Sequence, residues 1–208
     1  HEMKTPLTGI IGAVDLLDSG SPADDATRAT LFGLLRDEAG RLNALAQNIL
    51  NLARLEDAGQ TLAKTKEDAF GIVEDTAKRF SGKAKSVRLL AEGGRGIECE
   101  CDRRLVEQAL ANLVENALRH SGAGVVKISA VRWHGGAKFS VEDDGCGIPA
   151  EHAKKIFDRF HRVDPSRVAG GGAGLGLSIV RRIARLHGGE ASLERVEPRG
   201  SRFVIAIP

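Results

Sequence analysis

The sequence predicts two units of different class. Residues 1–58 read as a helical hairpin that pairs with a second copy into a four-helix bundle, and residues 59–208 read as an α/β sandwich. Two observations predict this split. Apolar residues recur at alternating spacings of four and three up to about residue 57, and that beat is lost over residues 58–66, with a different pattern from about residue 67 on. Beyond it, helical runs mix with mostly antiparallel strand runs, which favours a sandwich over a doubly wound sheet.

In the first helix the repeating positions are Met3, Leu7, Ile10, Val14 and Leu17. In the second they are Leu31, Leu35, Leu42, Leu45, Ile49 and Leu52, with Glu38 in the one skipped slot. This is the a/d heptad pattern. Between the helices lies DSGSPADD, where Ser21 suits an N-cap, Pro22 a first-turn proline and Asp24 an acidic third position. The second helix is therefore predicted to begin near Pro22. Two helices alone cannot bury such stripes, whereas a four-helix bundle can, so a homodimer through the hairpin is expected. With Met3 and Leu7 facing the core, His1 falls at b, Glu2 at c and Thr5 at f, all toward solvent. His1 and Thr5 are i,i+4 neighbours. Pro6 removes the bond that would reach the Glu2 carbonyl, which predicts a bend beside His1.

Residues 58–66, AGQTLAKTK, read as a linker running into a strand. Asp68–Ser81 reads as a helix, SVRLL and GIECE as short strands, and Asp102 as the N-cap of a helix through His120. GVVKISAVRW and AKFSVEDD read as a hairpin. LSIVRRIARLHGG is a helix stopped by glycine, and EASLERV and RFVIAIP are closing strands.

Composition narrows the function. Net charge is +2, there is no tyrosine, and there is one tryptophan among 208 residues, so no nucleic-acid footprint is present. No apolar run reaches the roughly 20 residues that span a bilayer, so this stretch is not expected to contact a membrane. Cys99, Cys101 and Cys146 are odd in number and lack C-x-x-C spacing, which argues against zinc and against a disulfide framework. They read as small buried hydrophobes in a reducing, cytoplasmic setting. The first residue is histidine, and the chain reads as a fragment of a longer protein.

Three stretches carry chemistry. In LANLVENALRHS, Val106, Leu110, Leu113 and Ala117 form a buried stripe, and Asn112, Asn116 and His120 form a second one. Asparagine is a mediocre helix former. An amide oxygen suits Mg²⁺ that takes its negative ligands from phosphates; the alternative is a solvated helix face. In VEDDGCGIP, Asp143, Gly145 and Gly147 are spaced D-x-G-x-G after a strand. A buried carboxylate there can accept a hydrogen bond from the amine of adenine; the alternative is an acidic turn. In GGGAGLGLSIV, residues 170–180, glycines lead into a helix whose free N–H groups suit phosphate. It is not a Walker A loop, because no Gly-Lys-Ser/Thr follows. Between the last two, KKIFDRFHRVDPSRV offers Phe157 and Phe160 as anchors of a mobile segment, and Arg162 and Arg167 as phosphate contacts.

In this order the stretches resemble the boxes of sensor histidine kinases of two-component systems. HEMKTPLTGI is similar to the phosphoacceptor H box, NLVENALRHS to the N box, DDGCGI to the first glycine box, IFDRFHR to the F box and GGGAGLGLSIV to the second glycine box. The resemblance covers essentially the whole chain. It implies a dimerisation and histidine-phosphotransfer domain followed by an ATP-binding domain of the Bergerat fold. By motif position it makes His1 the phosphorylated residue, Glu2 its acidic partner and Thr5 the residue that orients water for dephosphorylation. Asn116 would hold Mg²⁺ with Asn112 assisting, and Arg119 would lie near the γ-phosphate. Asp143 would bind the adenine amine. Gly145, Gly147, Gly172, Gly174 and Gly176 would shape the ATP pocket and its lid, with Arg167 in that lid. Ala173 stands where threonine or serine is frequent, and Cys146 where proline is more usual. The implied partners are a second copy and the receiver domain of a response regulator, and the intact protein is expected to be membrane-anchored. Two other readings stay open: a steady ATPase like gyrase, MutL or the heat-shock chaperone, and a degenerate kinase acting as scaffold or phosphatase.

Overall fold

A computed structural model describes residues 2–20, 24–56, 61–82, 87–120, 124–163 and 174–208. They fall into two compact units, one up to Ala53 and one from Arg54 on.

The first unit is built on α1 (Lys4–Asp18) and α2 (Asp25–Glu56). The Asp24 carboxylate accepts from the Thr27 backbone N–H at 2.7 Å and from its hydroxyl at 2.8 Å. Asp24 is therefore the N-cap, and α2 begins three residues later than the Pro22 start expected from sequence. The carboxylate lies within reach of an N–H that the first turn leaves unpaired. Ser21 and Pro22 lie outside the described residues. Pro6 is the third residue of α1, a first-turn position whose N–H has no partner within that helix.

The heptad stripe is only partly covered within one chain. Ile10 and Leu17 are half-buried, but Met3, Leu7 and Val14 remain 50%, 48% and 48% exposed. The buried residues of α1 are Pro6 and Ala13. On α2, Leu45 and Leu52 are buried, and Leu31, Leu35 and Leu42 are half-buried. Glu38 does occupy a core slot. It is buried, pairs with Arg41 at 2.6 Å, and lies opposite Gly9. A Cβ on Gly9 would sit 3.5 Å from the Glu38 Cγ, an ordinary contact distance. The odd residue of the heptad is thus a polar layer beside a small residue of α1.

The second unit carries a five-stranded sheet in the order β2-β4-β5-β7-β6, with β2 parallel to β4 and the other pairs antiparallel. Its strands are β2 (Arg88–Gly93), β4 (Val125–Trp133), β5 (Gly136–Asp143), β6 (Glu190–Arg195) and β7 (Ser201–Ile207). A two-stranded sheet pairs β1 (Thr65–Asp68) with β3 (Glu98–Cys101). Three helices pack across the larger sheet: α3 (Ala69–Ser81), α4 (Arg103–His120) in the middle, and α6 (Gly176–Leu186). A short α5 covers Ala150–Ala153. The stripe Val106, Leu110, Leu113 and Ala117 of α4 is buried as its spacing predicts. Burying each leucine contributes about 1.5–3 kcal/mol.

Helix α4 is fixed at its start by two devices. Asp102 accepts from the Leu105 N–H at 3.2 Å, a regular N-cap. The Asp102 N–H in turn donates to Nε2 of His187 at 3.0 Å, while Nδ1 of His187 bonds the Ile183 carbonyl at 2.8 Å. This buried ring thereby ties α6 to α4. Cys99 and Cys101 are buried and unpaired on one face of β3, as the alternation suggests. Cys146 is exposed, contrary to its reading as a buried hydrophobe, because it lies in the turn after β5 and not in a strand.

Candidate functional site

The site of the second unit is assembled from α4, the turn after β5, and the start of α6. Asn112 and Asn116 are half-buried one turn apart on α4, and Arg119 is exposed near its end. Asn112 donates from Nδ2 to the Gln108 carbonyl at 3.0 Å, which aims its Oδ1 away from its own helix. A Cβ on Gly176 would lie 3.3 Å from that oxygen, so the first residue of α6 is a glycine where α6 lies tightly against Asn112 of α4. Two stretches separated by some sixty residues therefore meet at this point.

Asp143 ends β5 and is only 4% exposed. Its Oδ1 accepts from the Gly145 N–H at 2.9 Å. Burial pushes its carboxyl above the ordinary carboxylate value, and the charges of Asp144 and Glu142 add to this, against the N–H bonds from Gly145 and Ser201. Gly145 backs onto the end of α4, where a Cβ would come within 2.5 Å of the His120 carbonyl oxygen. Gly147 adopts φ +75 and lies against Gly200.

The segment after α5 is held differently from the sequence expectation. Phe157 is buried edge-on to Phe203, with ring centroids 6.2 Å apart. Phe160 is 47% exposed, so only one of the two expected anchors is packed. Phe160 instead holds the segment through its backbone, with its N–H on the Gly174 carbonyl at 3.0 Å and φ at 61°. Gly174 has φ +68. Beside it, Nδ1 of His152 and Nε2 of His161 are 3.1 Å apart, a pair that no sequence signal suggested. Arg162 is half-buried. His1, Arg167, Gly172 and Ala173 lie outside the described residues. Glu2 is half-buried, less open than its heptad position implies, and Thr5 is exposed.

The arrangement matches known families in both units. Residues 1–58 match the His Kinase A (phospho-acceptor) domain, and residues 101–208 match the histidine kinase-, DNA gyrase B- and HSP90-like ATPase domain. The chain belongs to the sensor histidine kinases. Among such kinases it is 34% identical over 214 residues to the alginate biosynthesis sensor protein KinB of Pseudomonas aeruginosa, covering all of this chain and 35% of that protein. A crystal structure of full-length ShkA in complex with AMPPNP aligns over 98% of this chain and 43% of its own, with a TM-score of 0.70 and 29% identity. Histidine kinase ThkA in complex with the response regulator protein TrrA aligns over 100% of this chain and 59% of its own, with a TM-score of 0.81 and 26% identity. The chain spans only about a third of the length of KinB. No helix among the described residues is long and apolar enough to cross a membrane.

Two residues that shape the site carried no signal of their own. Gly200 has φ +122, and a Cβ there would overlap the Asp143 carbonyl oxygen. Asp144 was read only as part of an acidic turn, yet it bonds the backbone of Val125 at 3.1 Å. Neither could be found without the pairing of distant strands.

Proposed function

We propose that this kinase phosphorylates itself on His1 from ATP and passes the phosphoryl group to an aspartate on a response-regulator protein. The observation that carries the reading is that one helix, α4, lies against two glycine-bearing segments, with Asn112 beside Gly176 and the His120 carbonyl beside Gly145 of the Asp143 turn, in a chain that also bears a phosphoacceptor domain. Asp143 takes the adenine amine. Asn112 and Asn116 lie toward the phosphates, with Arg119 near the γ-phosphate and the residues Gly145, Gly147, Gly172, Gly174, Gly176 and Arg167 bordering the nucleotide. The half-buried amide of Asn116 suits Mg²⁺, which needs few protein ligands when phosphates supply the negative ones. When bound, Mg²⁺ would neutralise charge on the phosphates.

The imidazole of His1 attacks the γ-phosphorus through a ring nitrogen that carries no proton. A nitrogen–phosphorus bond forms, the bond to the β-phosphate oxygen breaks, and ADP leaves. Glu2 accepts the hydrogen bond of the other ring nitrogen and stabilises the positive charge that develops on the ring. The catalytic demand is charge neutralisation and in-line placement more than covalent chemistry. Thr5, one helical turn on, places water for the dephosphorylation of the regulator. The exposed Met3, Leu7 and Val14 favour a homodimer, in which a second hairpin covers them.

Incubation with γ-labelled ATP and Mg²⁺ tests the assignment. The wild-type chain should gain acid-labile, alkali-stable label, and His1→Ala should gain none while still binding ATP. Label on His1→Ala would refute the nucleophile, and steady phosphate release without label would favour a gyrase-like ATPase.

A further inference from the structure

We propose that Asp144 is a positioning residue for nucleotide binding, acting by clamping the start of β4 to the turn that carries Asp143. The proposal rests on the ATP-binding reading given above. Asp144 follows directly after Asp143, and its Oδ2 accepts from the Val125 N–H at 3.1 Å. Val125 opens β4, the strand that follows α4. In the β4–β5 ladder, Val126 faces Asp143. The carboxylate of Asp144 therefore adds one hydrogen bond beyond the last paired residue, at the point where β5 ends in the adenine-binding acid.

Its surroundings are shaped to admit it. A Cβ on Gly124 would overlap the Asp144 carboxylate, so the residue before Val125 leaves exactly that space only as glycine. On the other side, Gly145 lies so close to the α4 terminus that a Cβ would reach within 2.5 Å of the His120 carbonyl. Asp144 thus holds the Asp143 turn to the start of β4, and Gly145 lets the same turn lie against the end of the helix that bears Asn116 and Arg119. The second oxygen, Oδ1, is buried and has no hydrogen-bond partner among the described residues. A buried acceptor without a donor is unfavourable. Among the described residues, the hydrogen bond of this side chain is the one at Oδ2. An amide oxygen can accept the same N–H, so the position requires an acceptor and not a charge.

Four variants of the full chain test this: Asp144→Ala, Asp144→Asn, Gly124→Ala and the double variant Gly124→Ala/Asp144→Ala. MgATP affinity is measured by titration, and the KM and saturating rate of autophosphorylation are measured well below each variant's melting temperature. Asp144→Ala should weaken MgATP binding and raise KM about tenfold, with the saturating rate within about twofold. Asp144→Asn should restore affinity to near the wild-type value. Gly124→Ala should mimic Asp144→Ala, and the double variant should be no worse than Asp144→Ala alone, because removing the carboxylate frees the space for the new methyl group. Should Asp144→Ala not fold, the Gly124→Ala and Asp144→Asn pair carries the same contrast. Wild-type affinity in Asp144→Ala with only a lowered melting temperature would overturn the proposal, as would Asp144→Asn behaving like alanine. A wild-type chain that binds no MgATP would instead overturn the ATP-binding reading, and the proposal with it.

Discussion

Acidification should weaken the ATP-binding unit through His187. The ring is 2% exposed, and both nitrogens are engaged: Nδ1 with the Ile183 carbonyl and Nε2 as acceptor for the Asp102 N–H. Protonating Nε2 would set two donors against each other. Burial holds the pKa of the ring below the ordinary 6.5, with the charge of Lys64 acting in the same direction and the Ile183 bond and Asp102 opposing. Below pH ~6.5 the unfolded chain therefore binds a proton that the folded chain refuses. Stability is complete above that pH and falls as pH drops, by at most about 1.4 kcal/mol per pH unit. Trp133, the only tryptophan, lies on β4 and reports urea unfolding of this unit. His187→Gln can keep the acceptor for the Asp102 N–H but carries no titrating ring. At neutral pH it should destabilise by about 1–3 kcal/mol. Its disadvantage against wild type should then shrink as pH falls below ~6.5. An unchanged difference across that range would show that another group drives the acid sensitivity.

Asp143→Asn removes a buried carboxyl whose pKa is raised, a group that contributes stability at low pH and loses it as pH rises through the raised value. The variant should melt at or above the wild-type temperature at neutral pH and bind ATP at least about tenfold more weakly, since an amide offers the adenine amine a poorer acceptor. Thermal melting with and without ATP reads both effects together. Gly145→Ala should destabilise the unit by about 1–3 kcal/mol and abolish ATP binding, because its methyl group meets the His120 carbonyl at 2.5 Å. Urea unfolding and nucleotide titration check it.

Much of the site could be read from local pattern. The spacing of Val106, Leu110, Leu113 and Ala117 sets which face of α4 is buried, and that alone places Asn112 and Asn116 beside it. The D-x-G-x-G spacing pointed to Asp143 at a strand end, where it is found. Capping was less legible. Ser21, Pro22 and Asp24 all carry starting signals within four residues, and the bonds to Thr27 select Asp24. Phe157 and Phe160 look equivalent in sequence, yet one is buried against Phe203 and the other is held by its backbone.

The sequence by itself determined the order of the units, the faces of their helices and the residue types at the nucleotide site. These depend on periodicity and on spacing within a few turns of chain. Only the tertiary structure decided what lies against what: Glu38 against Gly9, His187 on the Asp102 N–H, and Asp144 on Val125. Such pairs join residues that are 85 positions apart in the case of His187 and 19 in the case of Asp144. Nothing in the local pattern of either partner encodes the other, because a hydrogen bond or a steric fit exists only once packing has brought the two backbones together.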